Sequence, residues 1–266
     1  MKLFYRKYGE GPPLMILHGL YGSSDNWITV AKAISSDFTV YLPDLRNHGL
    51  SPRSRVHDYT AMSSDIHELS DELGLNKFFL AGHSMGGKTA ILYAVRWPEK
   101  LEGLAIADIS PFPASDIRTP EYYQHLEILN AILETDVSGA ATRNDAELLL
   151  AEKISSERTR GFIMKNIQRT SDNKFSWKIN APSILRNLEN IMEGVARPSE
   201  NYKPVTGFPV IFLKGEKSDY IPDDDRSDIF KLFPSAEIKI IPDAGHWLHT
   251  DNPDAVISSL LDLLDK

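Results

Sequence analysis

The chain contains no cysteine. Disulfides, thiolate metal sites and a cysteine nucleophile are therefore excluded, and the composition fits a reducing compartment. No apolar run approaches the roughly 20 residues of a membrane span. The opening stretch MKLFYRKYGEGPP lacks the apolar core of a secretory signal. Together these features point to the cytoplasm. Positive charge is scarce as well: 29 Lys and Arg stand against 37 Asp and Glu, a formal charge of −8, with no basic cluster. Nucleic acid is not an expected partner on that balance. A phosphate-binding glycine loop, a dinucleotide fingerprint and a credible metal cluster are all missing, so no cofactor and no metal are expected. No internal repeat or low-complexity linker breaks the 266 residues, a length that suits one large α/β domain carrying an insertion.

What is present is a series of short apolar runs. Leu3 to Tyr8 alternates weakly and reads as an edge strand. Leu14 to Leu17, Phe38 to Leu42, Phe78 to Ala81 and Leu101 to Ile106 read as strands buried on both faces of a parallel sheet. Helices are expected between them, over Trp27 to Ile34, 60–73 and 86–96. That alternation predicts a mostly parallel sheet with helices on both faces. It stops after Pro111. From 112 to 204 the sequence predicts helices at 120–134, 144–154, 156–169 and 182–194, with one extended piece at Phe175–Ile179. It resumes with strands at Val210–Leu213 and Glu237–Ile241, and helices at 223–232 and 253–265. The expected organisation is a core of residues 1–111 and 205–266, with residues 112–204 inserted as a helical lid.

The centre of the pattern is Gly82-His83-Ser84-Met85-Gly86. This G-x-S-x-G follows a strand and opens a helix, the setting of a nucleophile elbow. A serine hydroxyl is a poor nucleophile at neutral pH and needs a base, itself oriented by an acid. In this topology the order along the chain is serine, acid, histidine. Three histidines follow Ser84. His246, in the loop Asp243-Ala244-Gly245-His246-Trp247 after the last strand, is the expected base. His249 is expected on the surface or in packing, and His125 on a solvated helix face. Two acids compete. Asp108 ends the strand after the elbow strand. Asp219 lies in the loop after Val210–Leu213, one residue beyond the usual slot, which Ser218 occupies.

The oxyanion formed on attack needs backbone N–H donors, each worth about 2.7–4 kcal/mol. Met85, directly after the serine, and Leu20, in the loop after Leu14–Leu17, are the expected pair. His18 and His83 are expected to make structural hydrogen bonds. Asp44, Arg46 and His48 form a charged loop near the same sheet edge, read first as scaffold. Tyr21, Met85, Trp247, Phe162 and Trp177 are candidates to line an apolar acyl pocket, with Tyr21 and Trp247 foremost as substrate contacts.

Five stretches carry a resemblance: HGLYGSSDNW (18–27), DLRNHGLSPRS (44–54), GHSMGGKTA (82–90), GEKSDYI (215–221) and AGHWLH (244–249). In these the chain resembles the α/β-hydrolases, more narrowly the YbfF-type esterases and related abhydrolase-domain proteins. The resemblance implies hydrolysis of a small-molecule ester with a short or medium acyl chain. It also implies an acid after the strand following the elbow, here Asp108. It covers the core and leaves the inserted segment without a recognisable motif. A lyase or C–C hydrolase on the same scaffold, or a ligand-binding receptor with vestigial hydrolysis, are the rival readings. Nothing in the sequence chooses between a monomer and a homodimer.

Overall fold

Apolar runs too short for a helical stripe become strands, and they do so in the expected order. The computed structural model describes residues 1–114, 116–198 and 203–264. The chain runs β1 (Tyr5–Tyr8), β2 (Pro13–Leu17), a single 3-10 turn Ser24–Trp27 leading into α1 (Ile28–Ala33), β3 (Thr39–Pro43), α2 (Tyr59–Glu72), β4 (Phe78–His83), α3 (Met85–Arg96) and β5 (Leu101–Ala107). An inserted segment follows: α4 (Pro120–Glu134), α5 (Arg143–Ala151), α6 (Glu157–Ile163), β6 (Ile167–Arg169), β7 (Phe175–Trp177), α7 (Ala181–Arg186) and α8 (Leu188–Met192). The core resumes with β8 (Val210–Gly215), α9 (Arg226–Leu232), β9 (Ala236–Ile241), α10 (Leu248–Asp251) and α11 (Pro253–Leu261).

The main sheet has the order β1-β3-β2-β4-β5-β8-β9, with β1 antiparallel and the other pairings parallel. Strand periodicity divides each buried run between two faces. Met15 and Leu17 join Leu80, Ile106 and Phe212 under α2 and α3. Leu14 and Ile16 join Ala81, Ala105 and Ile211 with Trp27 and Val256 on the other face. The register then fixes the chemistry. Leu17 lies beside Gly82, His83 beside Ala107, Ala107 beside Leu213, and Gly215 beside Ile241. The loops that follow β2, β4, β5, β8 and β9 therefore open along one carboxyl edge, where open α/β sheets bind ligands.

The inserted segment departs from expectation in detail. The helix expected over 156–169 stops at Ile163, and Ile167–Arg169 pairs antiparallel with Phe175–Trp177. Asn173, at φ 62°, supplies the left-handed residue that closes this hairpin. The helix expected over 182–194 is broken at Asn187, whose side chain donates to Arg55 O at 2.9 Å and Ser183 O at 2.8 Å. The last helix ends at Leu261, and its expected end at 265 lies outside the described residues, as do positions 115 and 199–202 of the expected lid. Among the described residues no helix is long and apolar enough to cross a membrane.

Candidate active site

One residue makes the turn from β4 to α3. Ser84 has φ 53° and ψ −118°, a conformation that L side chains rarely adopt and that costs on the order of 1–3 kcal/mol. The turn is possible because its flanks lack side chains. A Cβ on Gly86 would stand 2.5 Å from the carbonyl oxygens of Leu17 and His18, and one on Gly82 would collide with Gly86 O. The helix thus starts against β2, with the serine hydroxyl raised at the sheet edge.

The neighbouring loops deliver two partners. His246 Nε2 lies 3.0 Å from Ser84 Oγ, and His246 Nδ1 lies 2.8 Å from Asp108 Oδ2. Asp108 is fully buried, its backbone also in the left-handed region at φ 51°. Its carboxylate accepts the Gly215 N–H at 2.8 Å and the Ser218 hydroxyl. Ser218, in the loop after β8, thus satisfies one oxygen of the Asp108 carboxylate. Asp219 is exposed on the cavity rim and, among the described residues, makes no hydrogen bond to His246, whose Nδ1 is already taken. Two further side chains fix the imidazole. His83 Nε2 donates to His246 O at 2.7 Å, and the Tyr220 ring stacks on the His246 ring at 3.7 Å. Burial holds the His83 pKa well below the usual value, so His83 stays a neutral donor. Tyr220 was not anticipated. Only its place two residues after Ser218 hinted at it.

Across the serine, the loop after β2 presents Leu20 and Tyr21, the latter at φ 61°. Two buried histidines brace that loop. His18 Nδ1 donates to Gly19 O at 2.8 Å while its Nε2 accepts the Leu45 N–H at 2.9 Å. His48 Nδ1 donates to Arg46 O at 3.0 Å while its Nε2 accepts the Tyr21 N–H at 3.3 Å. Desolvation lowers both pKa values, so His48 is a neutral strut and not the charged loop residue expected from the sequence. Asp44 is scaffold, accepting the Ser24 and Leu50 N–H groups, and Arg46 pairs with buried Asp65 at 2.6 Å. Among the described residues neither the Leu20 nor the Met85 N–H has an acceptor, and both residues line the cavity with Ser84. Met85 opens α3, where the first amides have no partner within the helix.

The cavity over Ser84 measures about 610 Å³. It runs from Leu20 and Met85 past Lys88 and Ser110 to Arg197 and Asp225. A smaller pocket of about 70 Å³, lined by Tyr21, Phe162 and Trp247, meets it at Ser84. Lys88 is buried and donates to Met192 O and Glu193 O, tying α3 to the end of α8. Desolvation lowers its pKa to about 8. Three expectations need correction or placement. His125 is half-buried and not on an open helix face: it lines both pockets, hydrogen-bonds the Tyr21 hydroxyl at 3.3 Å, and desolvation pushes its pKa down to about 4. Trp177 lines neither pocket, because its indole N–H donates to Thr135 O within the inserted segment. His249 packs, stacked on Trp27 at 4.6 Å. Among the described residues no group of acids and histidines is placed to hold a metal ion.

Comparison with known proteins extends these observations. The family model for the alpha/beta hydrolase fold matches residues 12–253. A solved structure described as a marine microorganism esterase superposes with a TM-score of 0.92 at 43% identity, covering 98% of this chain and 99% of that one. The sn-1-specific diacylglycerol lipase ABHD11 of Danio rerio is 36% identical over 259 residues, spanning 96% of this chain and 79% of the relative. Esterase YbfF of Escherichia coli (strain K12) is 30% identical over 248 residues, spanning 93% of this chain and 91% of the relative.

Proposed function

This chain belongs to the α/β-hydrolase family, with YbfF-type esterases among its relatives, and is a hydrolase; we propose that it is a serine carboxylesterase acting on short- to medium-chain acyl esters. The observation that carries the proposal is the unbroken hydrogen-bond line Asp108–His246–Ser84 beside two unpaired amides. In this reading Ser84 is the nucleophile, His246 the base and Asp108 the acid that orients it, in preference to Asp219. Residues 112–204 act as the lid over residues 1–111 and 205–266. A cytoplasmic location belongs to the same reading.

The steps follow from the geometry. An ester places its carbonyl carbon against Ser84 Oγ and its carbonyl oxygen toward the Leu20 and Met85 N–H groups. His246 Nε2 takes the serine proton as Oγ attacks, and Asp108 stabilises the imidazolium and holds the Nδ1–H tautomer. The tetrahedral oxyanion is stabilised by amides already aimed at it, without reorganisation. His246 returns the proton to the departing alcohol. Water then attacks the acyl-serine with His246 again as base, and the acid is released. All of this chemistry can be carried by side chains and backbone amides of the chain itself.

Ser84→Ala is expected to abolish turnover of p-nitrophenyl acetate and butyrate and to abolish labelling by a fluorophosphonate. Retained turnover in that variant refutes the serine mechanism. The complete line of groups argues for turnover over the receptor reading, and release of free acid from simple esters separates an esterase from a C–C hydrolase. Glycerol esters belong in the same assay, given the lipase name of one relative.

A further inference from the structure

An ester bound at Ser84 has two ends, and the space around Ser84 is unequally divided. The cavities of about 610 Å³ and about 70 Å³ share one wall, made by Leu20, Ser84, His125, Tyr220 and His246. With the carbonyl oxygen directed at the Leu20 and Met85 amides, the acyl chain and the alcohol must leave the carbonyl carbon in different directions. One of them has to enter the smaller space. That space is roughly one-ninth of the larger one.

The chemistry of the walls says which end goes where. The small compartment is lined by Tyr21, Ile128, Phe162, Ile163 and Trp247, with Ile128, Ile163 and Tyr21 buried. An alkyl chain loses nothing by desolvation there. The large compartment has mixed walls: Ile109, Phe112 and Ile191 are apolar, Lys88, Arg197 and Asp225 are charged, and its rim carries the exposed Lys217, Asp219 and Asp224. The alcohol must depart and water must then attack from the position it vacated, with His246 serving both steps. That path needs contact with solvent, which the large compartment has.

The depth of the small compartment is set by braced side chains. Phe162 packs on Trp247 with ring centroids 5.1 Å apart. The Arg158 guanidinium covers the Trp247 ring at 4.6 Å and is itself held by Asp251 at 2.5 Å. On the opposite side the Tyr21 hydroxyl is tied to His125 Nδ1 and donates to His125 O, both at 3.3 Å, which fastens α4 over the loop after β2.

We propose that Phe162 and Trp247 close off a short acyl compartment, so that the preferred substrates join a short acyl group, no longer than butyryl, to a bulky alcohol in the large compartment. This rests on the esterase reading and narrows its acyl range. Two ester series test it. In the first, p-nitrophenyl esters run from acetate through butyrate and hexanoate to octanoate. In the second, acetate is held constant and the alcohol grows from ethyl to octyl to naphthylethyl.

Beyond butyrate, kcat/KM is expected to fall about tenfold or more per misfit step, while the alcohol series stays level or rises. In Phe162→Ala the octanoate-to-acetate ratio is expected to rise about tenfold or more over wild type. Equal tolerance of length at both ends overturns the proposal and leaves the esterase reading intact. A steep fall in the alcohol series with octanoate accepted overturns the assignment of ends. No turnover of any ester sinks the esterase reading, and this proposal with it. The wild-type series decides even if the variant does not fold, and a circular dichroism spectrum shows whether it does.

Discussion

Asp108 and Asp219 are the same residue type in opposite environments, and the difference lies in solvent and partners. Asp108 is fully buried, and a buried carboxylate is tolerable only where its lone pairs are met. Gly215 N, the Ser218 hydroxyl and His246 Nδ1 meet them. Asp219 faces water and has no such task. Asp108→Asn keeps the shape but offers His246 the wrong tautomer, so kcat is expected to fall by about 10³–10⁴. Asp219→Asn removes only an exposed charge and is expected to change stability by no more than about 0.5 kcal/mol, with kcat essentially unaltered. Steady-state kinetics on p-nitrophenyl butyrate checks both, and the opposite ranking would transfer the acid role to Asp219.

At the scale of elements, several of the bonds that fasten the inserted segment to the core gather on the loop after β3. Asn180 Nδ2 donates to Asn47 Oδ1 at 2.8 Å, Asn180 N donates to Asn47 O at 2.8 Å, and Asn187 Nδ2 reaches Arg55 O. The Ser183 hydroxyl donates to Ser54 O at 2.5 Å. That same loop carries His48, which braces Tyr21 beside the expected oxyanion donor. Each net hydrogen bond is worth about 0.5–1.5 kcal/mol, and a buried acceptor left unpaired costs about 1–3 kcal/mol. Asn180→Ala combined with Asn187→Ala is therefore expected to lower the urea midpoint by an amount equivalent to about 1–3 kcal/mol, and to speed tryptic cleavage within 112–204. Unchanged midpoint and unchanged cleavage would show that these bonds do not hold the segment down. The same contacts explain which elements were legible in the sequence. β2, β4, β5 and β8 are continuous apolar runs because both their faces are buried, so order and edge could be read directly. The turn at Ser84 was readable because the flanking glycines are demanded by backbone contact. The hairpin of Ile167–Arg169 with Phe175–Trp177 was not, because its pairing is set across five intervening residues and by packing on the core. Asn187 looked like helix interior until its side chain found Arg55 O. His125 looked solvated because its partner, the Tyr21 hydroxyl, lies 104 residues away.

Across the whole molecule, imidazoles are used as neutral structural parts. His18, His48, His57, His83 and His249 are all buried, and burial is the largest cause of the lowered pKa in each. For His57 the value falls to about 3 and for His249 to about 4. Among the described residues His57 Nε2 and His249 Nδ1 have no hydrogen-bond partner to welcome a proton. The unfolded chain offers the same side chains a pKa near 6.5. Above that pH neither state is protonated and the fold loses nothing. Below it the unfolded chain takes up protons that the folded chain refuses, so stability falls as pH falls. His57 and His249 each contribute a slope of up to about 1.4 kcal/mol per pH unit, or about 2 kcal/mol by pH 5. These two acting together would remove about 4 kcal/mol, a large part of the about 5–15 kcal/mol that holds a typical domain together. Carboxylates titrate mainly below this window, so pH 5 to 6.5 isolates the histidines. Urea unfolding toward pH 5 is expected to show uptake of about two or more protons on unfolding, and His57→Gln is expected to reduce that uptake by about one. A stability that stays flat from pH 6.5 to 5 would mean that the buried rings accept protons in place, and the neutral framework around Ser84 would have to be abandoned.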